Sequence, residues 1–322
     1  MPGPKFFVAL FLFLFFAFIN HLVPWIEGKL TWGQFDIQQF NFHIWLLVVF
    51  AAGNFFLDFA KTAMLKFRSA LDVSRLEYET LTYQFVTYSS RIGWLITLAA
   101  ALAAVFDLFQ GIPLYMQSGA SLITFVISAT FMYAFVFGFF FNIFRQFAMI
   151  VRLYASITRI NIFHLNPLYA FSGFTYRLSV FLILAGALSY VTNVVLSQED
   201  PQVGPFVFFS SVNLAMAVGA FILPLGGIHA RLEKEKELIS RDNDERINKA
   251  YKELHRRVDK KGLKDMVAFR NQVSALLDYR HEIERISTWP WEPGTLRNFI
   301  TALFVPLTVW AIQQFFTRVV GN

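Results

Sequence analysis

The chain of 322 residues contains no cysteine, which excludes disulfide bonds, thiolate metal sites and cysteine nucleophiles. Charged residues are also scarce, at 16% of the chain, whereas a typical soluble domain carries about a quarter. Apolar residues make up 56% of the chain, and 40 residues are phenylalanine. Helices that face lipid can display this much phenylalanine, whereas a single water-soluble core can hardly bury it. The composition therefore indicates a polytopic membrane protein.

The sequence also lacks the motifs of the common catalytic and cofactor sites. It contains no Walker motif, no glycine-rich dinucleotide loop and no serine nucleophile elbow. No two of its six histidines are three or four residues apart, so their spacing does not predict a metal site on a helix. We therefore expect a non-enzymatic protein with no catalytic residues, no cofactor and no bound metal.

Seven apolar runs are long enough to cross a bilayer as helices, for which about 17 to 25 residues are needed. These runs are residues 6–23, 44–60, 92–109, 122–144, 178–196, 206–225 and 296–316. The second run is the shortest, and whether it faces lipid is left open. The first run is longer than the core of a signal peptide and precedes no small-residue cleavage site, so we interpret it as a retained signal anchor.

Basic residues are almost absent from one side of this arrangement. With the N-terminus in the cytoplasm, 26 of the 28 Lys and Arg residues lie in cytoplasmic segments, and only Lys29 and Arg318 lie outside. The positive-inside rule therefore predicts a multi-pass protein of the cell membrane, with a cytoplasmic N-terminus and an external C-terminus. The net charge of +6 follows from this sidedness. It predicts contact with an anionic inner leaflet and does not indicate nucleic-acid binding.

The only sizeable polar stretch, residues 229–289, is predicted to form a cytoplasmic antiparallel helical hairpin. Two series of apolar residues recur along it at helical spacing, and Gly262 lies in the turn between them. The first series is Leu232, Ile239, Ile247, Leu254 and Val258, and the second is Leu263, Val267, Val273, Leu276, Leu277, Ile283 and Ile286. The hairpin separates a six-span region, residues 1–228, from an interfacial segment and last span, residues 290–322.

The apolar seam of this hairpin is too narrow to bury its own surface. We therefore expect it to pack against other cytoplasmic segments, a cytoplasmic protein partner or a second protomer. The sequence leaves open whether the seam closes within one chain or between two chains.

Three arginines follow one another at intervals of seven residues, in a segment without acidic residues. They are Arg145, Arg152 and Arg159. On a helix this spacing places them on nearly one stripe. One interpretation is contact with anionic lipid headgroups, and another is pairing with acidic residues of the predicted hairpin or with a partner. An anion or nucleotide site is a third possibility.

Two short segments contain the residue types that end helices at a membrane surface. Trp289 and Trp291 stand among two prolines before the last apolar run. Because tryptophan rings favour the headgroup layer, we predict that they are interface anchors, with a ligand-binding aromatic pair as the alternative. At the end of the sixth run, residues 224–227 combine one proline with two glycines and predict a break in the helix.

Polar residues inside the predicted spans are the candidate functional residues of the membrane region, because their burial in lipid is costly. The candidates are Asp58, Asn54, Asn142, Asn193 and Asn213, and Asn20, Asp107, Gln313 and Gln314 also lie in or near spans. Asparagine in a span commonly bonds to a neighbouring helix. Arranged around one axis, the asparagines and Asp58 would instead line a pore.

Two strings near the cytoplasmic ends of predicted spans resemble parts of a family of uncharacterised prokaryotic polytopic membrane proteins. They are INIFHLNPLYAFS, residues 160–172, and TWPWEPGTLR, residues 288–297. The resemblance covers the chain from about Arg145 onward. It implies no function, because no activity is assigned to that family.

The sequence thus predicts an all-α integral membrane protein with about seven transmembrane helices and a cytoplasmic hairpin. We expect a signalling or assembly subunit whose hairpin contacts a partner or a second protomer. The alternative is an ion channel or transporter. No inverted repeat of broken helices is evident, which lowers the expectation of a secondary transporter.

Overall fold

The structure, a computed structural model, describes residues 4–109, 114–157, 160–197, 203–259 and 266–320. Its helices are α1 (Pro4–Ile26), α2 (Ile37–Phe67), α3 (Arg75–Val86), α4 (Ser90–Asp107), α5 (Gly119–Ser156), α6 (Ala170–Ser197), α7 (Val203–Asp259), α8 (Met266–Arg285), α9 (Thr295–Leu303) and α10 (Val305–Val320). Within the described residues, six stretches are long and apolar enough to cross a membrane, and they belong to α1, α2, α3 with α4, α5, α6 and α7. The prediction of an all-helical, multi-pass membrane protein is confirmed.

Helix α2 is longer than the apolar run that predicted it. It begins after Asp36, whose carboxylate accepts hydrogen bonds from the backbone N–H groups of Gln38 and Gln39 and so caps the helix. It then continues without interruption through Gly53 and Asn54. Along this length α2 lies against α1, α5 and α6. The extension follows from packing, which a count of consecutive apolar residues does not measure.

A cluster of phenylalanine rings joins α2 to α5 and α6. Phe56 of α2 is only 2% exposed. Its ring centroid lies 6.1 Å from that of Phe139, 6.0 Å from that of Phe174 and 5.6 Å from that of Phe181. Ring pairs at such separations add about 0.5 to 1.5 kcal/mol each to the effect of burial. This cluster lies in the largest buried core of the bundle.

Helix α7 continues through the segment where the sequence predicts a break. Its 57 residues include Pro224, and at about 1.5 Å per residue it is roughly 85 Å long. Proline removes one backbone hydrogen bond, a loss that membrane helices tolerate when neighbouring groups compensate. Phe221, Leu225 and Ile228 are completely buried around the proline. The helix is therefore unbroken at Pro224, and buried side chains pack against neighbouring helices on both sides of this residue.

The last apolar run does not form one continuous helix. It is divided between α9, of 9 residues, and α10, of 16 residues. The break lies at Phe304, two residues before Pro306, which has no N–H group with which to continue the hydrogen bonds of α9. Each piece is shorter than the roughly 20 residues that a single spanning helix needs. The predicted seventh span therefore consists of two helices that both contact α6.

Helix α8 lies along the second half of α7 in the opposite direction. The Asn243 side chain donates to the Leu276 carbonyl at 3.1 Å, and Lys236 Nζ donates to the Ile286 carbonyl at 2.7 Å. As the residue number rises along α7, that of its partner falls. Residues 229–259 of α7 and all of α8 are called the arm below. Gly262 and Leu263 of the predicted turn, and the Val258 side chain, lie outside what the structure describes.

We expect Phe56→Ala to destabilise the protein by about 3 kcal/mol, because it removes one ring from a packed cluster and leaves a cavity. Leu65→Ala is the matched control, since Leu65 lies on the same helix and is 63% exposed. Its replacement should change stability by less than about 0.5 kcal/mol. Unfolding of both variants in mixed detergent and SDS micelles measures the difference. Equal losses would contradict the packing described for α2.

Candidate functional site

The asparagines of the predicted pore have separate partners. Asn54 donates to the Phe50 carbonyl of its own helix at 2.9 Å. Asn142 accepts from Arg145 at 2.7 Å. A Cβ atom placed on Gly186 would lie 2.6 Å from Asn213 Oδ1, so the Asn213 amide lies against the backbone of α6. These are contacts of the kind that asparagine makes within and between packed helices.

Asp58 and Asn193 are the other two candidate residues of the predicted pore. The Asp58 side chain is 67% exposed, and its carboxylate lies 4.0 Å from Lys61 Nζ, three residues later on α2. The Asn193 side chain lies outside what the structure describes. The described contacts of these candidates are therefore local and do not bring Asp58 together with the asparagines.

Arg145 binds the C-terminal end of α3. Its guanidinium donates to the carbonyl of Gln84, to that of Thr87 at 2.5 Å and to that of Phe85 at 3.1 Å. The last carbonyl groups of a helix have no partner within the helix and carry partial negative charge, which a cation stabilises. Of the other two arginines in the predicted stripe, Arg152 is exposed and Arg159 lies outside the described residues.

Two cations of α7 bind helix ends in the same way. Arg231 donates to the carbonyls of Tyr154 and Ile157, both at 2.6 Å, at the end of α5. Lys236 donates to the carbonyl of Glu284 at 2.8 Å, at the end of α8. These two cations, 5 positions apart on α7, define the junction between the membrane bundle and the arm. At the junction, α7 holds the C-terminal ends of two other helices.

Five aromatic rings form a stack beside the junction. Trp289 lies between His229 and Trp291, with ring centroids 4.0 Å and 4.5 Å away. Trp291 in turn lies 4.9 Å from Phe221 of α7, which lies 4.1 Å from Phe299 of α9. Both faces of each tryptophan ring are therefore occupied by other rings of the chain. The stack fixes the segment after α8 against α7.

A buried polar network lies at the opposite end of the bundle from the arm. Asn20 of α1, His43 of α2 and Ser128 of α5 are each exposed by 1% or less. The Asn20 amide nitrogen lies 3.1 Å from His43 Nε2 and 2.9 Å from Ser128 Oγ. The network thus joins three helices through their side chains.

Asn20 is recognisable from the sequence as a polar residue of a span, whereas His43 was not predicted as its partner. His43 precedes the apolar run that defined the second span, and it has no second histidine at helical spacing. The signal that could have found it is the position of Gln39 and His43 four residues apart, one turn along a helix that would have had to begin earlier. The contact of His43 with Asn20 depends on how α1 and α2 pack, which composition does not encode.

Asp36, which precedes α2, joins α1 to the segment before α5. Its backbone N–H donates to His21 Nε2 at 3.1 Å, and its carboxylate accepts from the Tyr115 hydroxyl. Burial and the neighbouring carboxylate raise the pKa of Tyr115 above its ordinary value, so Tyr115 keeps its proton and acts as a donor. The loop between α1 and α2 is therefore joined to the segment before α5.

Glu27 caps the first turn of α5 from the end of α1. Its carboxylate accepts from Ala120 N at 2.6 Å and from the N–H and hydroxyl of Ser121. Lys29 lies 2.7 Å away and, with Ser121, lowers the pKa of Glu27 to about 2. A Cβ atom on Gly119 would lie 2.3 Å from Glu27 Oε1, so the carboxylate fits only over a glycine. The negative charge is also favoured by the dipole of α5.

Among the residues that the structure describes, no three His, Asp or Glu side chains cluster as a metal ion would require. No protein-family model, curated protein or solved structure matches the chain. The resemblance noted for its second half stays a prediction.

We expect the Glu27 cap to give the fold an acid-sensitive contribution. The pKa is about 2 in the folded protein and 4.5 ordinarily, so the contribution is complete above pH 4.5 and is lost as the pH falls towards 2. In detergent at neutral pH, the wild type should have a higher unfolding temperature than Glu27→Gln. The difference between the two unfolding temperatures should decrease as the pH falls from 4.5 towards 2.

A control for the acid response is Glu79→Gln, since Glu79 forms an exposed surface pair with Arg75. Such pairs contribute little to stability, so this variant should stay close to the wild type at every pH. If the difference in unfolding temperature between the wild type and Glu27→Gln does not change with pH, the proposed ionised cap is contradicted.

Proposed function

We propose that the chain is a non-enzymatic signalling or assembly subunit of the cell membrane, whose arm pairs with a second copy of the chain on the cytoplasmic side. In this arrangement the protein has seven spans, the last one divided at Phe304, with the N-terminus inside and the C-terminus outside. The observation that carries the proposal is the junction, where one continuous helix belongs to both the bundle and the arm.

The arm is coupled to the bundle at several points of α7. Arg231 holds the end of α5, Lys236 holds the end of α8, and His229 stacks on Trp289 of the segment that follows α8. An independent soluble domain would be joined by a linker with few contacts across it. A shift of α7 relative to α5 therefore has to move the arm or break these bonds.

The distal part of the arm has an apolar groove. Its lining residues are Leu254, Val267, Phe269, Arg270, Val273, Ser274 and Leu277, and its volume is about 540 Å³. Val267 is 75% exposed at this groove. An apolar strip with charged residues on either side is the arrangement by which helices pair.

The charge of the arm favours a second copy as the occupant. Residues 229–289 contain 15 basic and 12 acidic residues. Pairs of opposite sign, such as Arg241 with Glu237 and Arg246 with Asp242, alternate along α7. In a two-fold symmetric pairing the same surface meets itself, so a mixed surface can place opposite charges together. A strongly charged partner would instead call for a surface of one sign.

Lipid contact is a second part of the proposal. Arg152 is exposed near the arm end of α5, where it can reach anionic headgroups of the inner leaflet. Arg145 is already engaged by α3, so its role is to hold that helix end. No described contact favours the channel or transporter alternative, because Asp58 is exposed beside Lys61 and the asparagines have other partners.

We expect Val267→Cys to form a disulfide-linked dimer when oxidised in membranes, because the groove of one copy would face that of another. The chain has no native cysteine, so the link reports this position alone. The product should have twice the 37.1 kDa mass of the chain. Gln272→Cys is the matched control, since it is exposed on the same helix and lies about 140° around it from residue 267.

Two outcomes would overturn pairing with a second copy. One is equal dimer formation at both positions, which indicates random collision. The other is a Val267→Cys product that contains only a different protein, which would replace the second copy by a partner of another kind.

The proposed topology predicts opposite labelling of single cysteines by a membrane-impermeant maleimide. Trp32→Cys, at a residue that is 73% exposed between α1 and α2, and a cysteine added after Asn322 should react in intact cells. Val267→Cys should react only after the membrane is opened. A six-span arrangement would leave the added C-terminal cysteine unreactive in intact cells, and an inverted arrangement would exchange all the results.

A further inference from the structure

The geometry around His43 determines which of its ring nitrogens carries hydrogen. Nδ1 lies 2.6 Å from the Gln39 carbonyl oxygen. A carbonyl oxygen can only accept, so Nδ1 must be the donor. In the neutral ring Nε2 is then an acceptor, and it faces the Asn20 amide nitrogen at 3.1 Å. This tautomer is fixed by the backbone of α2.

The Asn20 amide is imperfectly satisfied in this state. Its nitrogen lies within 3.1 Å of three acceptors, namely the Phe16 carbonyl, Ser128 Oγ and His43 Nε2, but it carries only two hydrogens. Its oxygen is buried and has no hydrogen-bond partner among the residues that the structure describes. A buried acceptor without a donor costs about 1 to 3 kcal/mol. The amide nitrogen therefore has three acceptors for its two hydrogens, whereas the amide oxygen has no donor in the described part of the chain.

We propose that His43 Nε2 is a proton-binding site, at which proton uptake is accompanied by rotation of the Asn20 amide. The proton comes from water and forms an N–H bond at Nε2, so the imidazole becomes a cation and no other bond is made or broken. After the amide turns by about 180°, Asn20 Oδ1 faces Nε2–H and accepts from it. The oxygen thereby gains a donor, and the amide nitrogen gives up its contacts with the Phe16 carbonyl and Ser128 Oγ.

The groups around the site come from each element packed against it. His21 lies on α1, Asp36 begins α2, and Tyr115 lies in the segment before α5 and donates to Asp36. Tyr133 of α5 donates to Asp107 of α4 at 2.5 Å, and its ring lies 6.3 Å from that of Phe42, the residue before His43. Two carboxylates and a second histidine thus share this end of the bundle with His43.

Proton binding at His43 goes beyond the proposed function, since it does not depend on what the arm binds. The site joins α1, α2 and α5 through the side chains of three residues. Protonation of His43 therefore changes the charge, and reverses the direction of the hydrogen bond to Asn20, at the point where these three helices meet.

The test is a titration of the full chain, in lipid bilayers, with ¹⁵N-labelled histidine rings. Solid-state NMR reports directly which ring nitrogen carries hydrogen, and His43→Gln identifies the His43 signals. As the pH is lowered from about 8 to about 3, we expect Nε2 to change from unprotonated to protonated while Nδ1 keeps its hydrogen. A neutral ring with hydrogen on Nε2, or an Nε2 that stays unprotonated throughout, would overturn the proposal.

Two variants of Asn20 test the role of the amide. Asn20→Asp has the same shape but only accepts, so it should move the midpoint of His43 protonation upward by at least about one pH unit, a tenfold change in proton affinity. Asn20→Leu removes the acceptor and should move the midpoint downward. If Asn20→Leu fails to fold, Asn20→Asp alone decides, and an unchanged midpoint in that variant contradicts the amide rotation.

Discussion

The backbone groups at the ends of helices require partners, and this requirement organises both ends of the molecule. Water can satisfy such groups at an exposed helix end, but here side chains of other segments do so. Cations on α5 and α7 bind the final carbonyls of α3, α5 and α8, whereas the Glu27 carboxylate binds the first N–H groups of α5. Each charge matches the sign of the helix end that it contacts. The caps therefore fix where helices end relative to one another, which the apolar contacts of the bundle do not specify.

The apolar spans could be predicted from the sequence because hydropathy is a local quantity, summed over a window about as long as the bilayer is thick. Prediction failed where a partner decides the outcome. Residues 224–227 contain the residue types of a helix break, yet neighbouring helices bury Phe221 and Ile228 and the helix continues. Pro306 was not singled out, although it is the second residue of a helix that starts anew at residue 305. The two prolines are chemically identical, so only their surroundings distinguish them.

The candidate site shows the same division. Arg145 and the two tryptophans were found from sequence, because charge and aromaticity are visible in the residue itself. Their partners were not found, since the end of α3 and the ring of His229 are distant in sequence from the groups they contact. His43 was missed altogether, because it precedes the apolar run and its spacing from Gln39 is informative only if the helix begins before that run. Tertiary packing determines which partners these groups contact, so the partners become apparent only once the fold is known.

The length of α7 has a mechanical consequence. From His229 to its end at Asp259 the helix extends by 30 residues, or roughly 45 Å at about 1.5 Å per residue. A tilt of about 5° in the membrane part, if the helix stays straight, displaces the far tip by roughly 4 Å. The arm therefore acts as a lever, in which a movement too small to disturb the packing of the bundle becomes comparable to the diameter of a side chain at the tip.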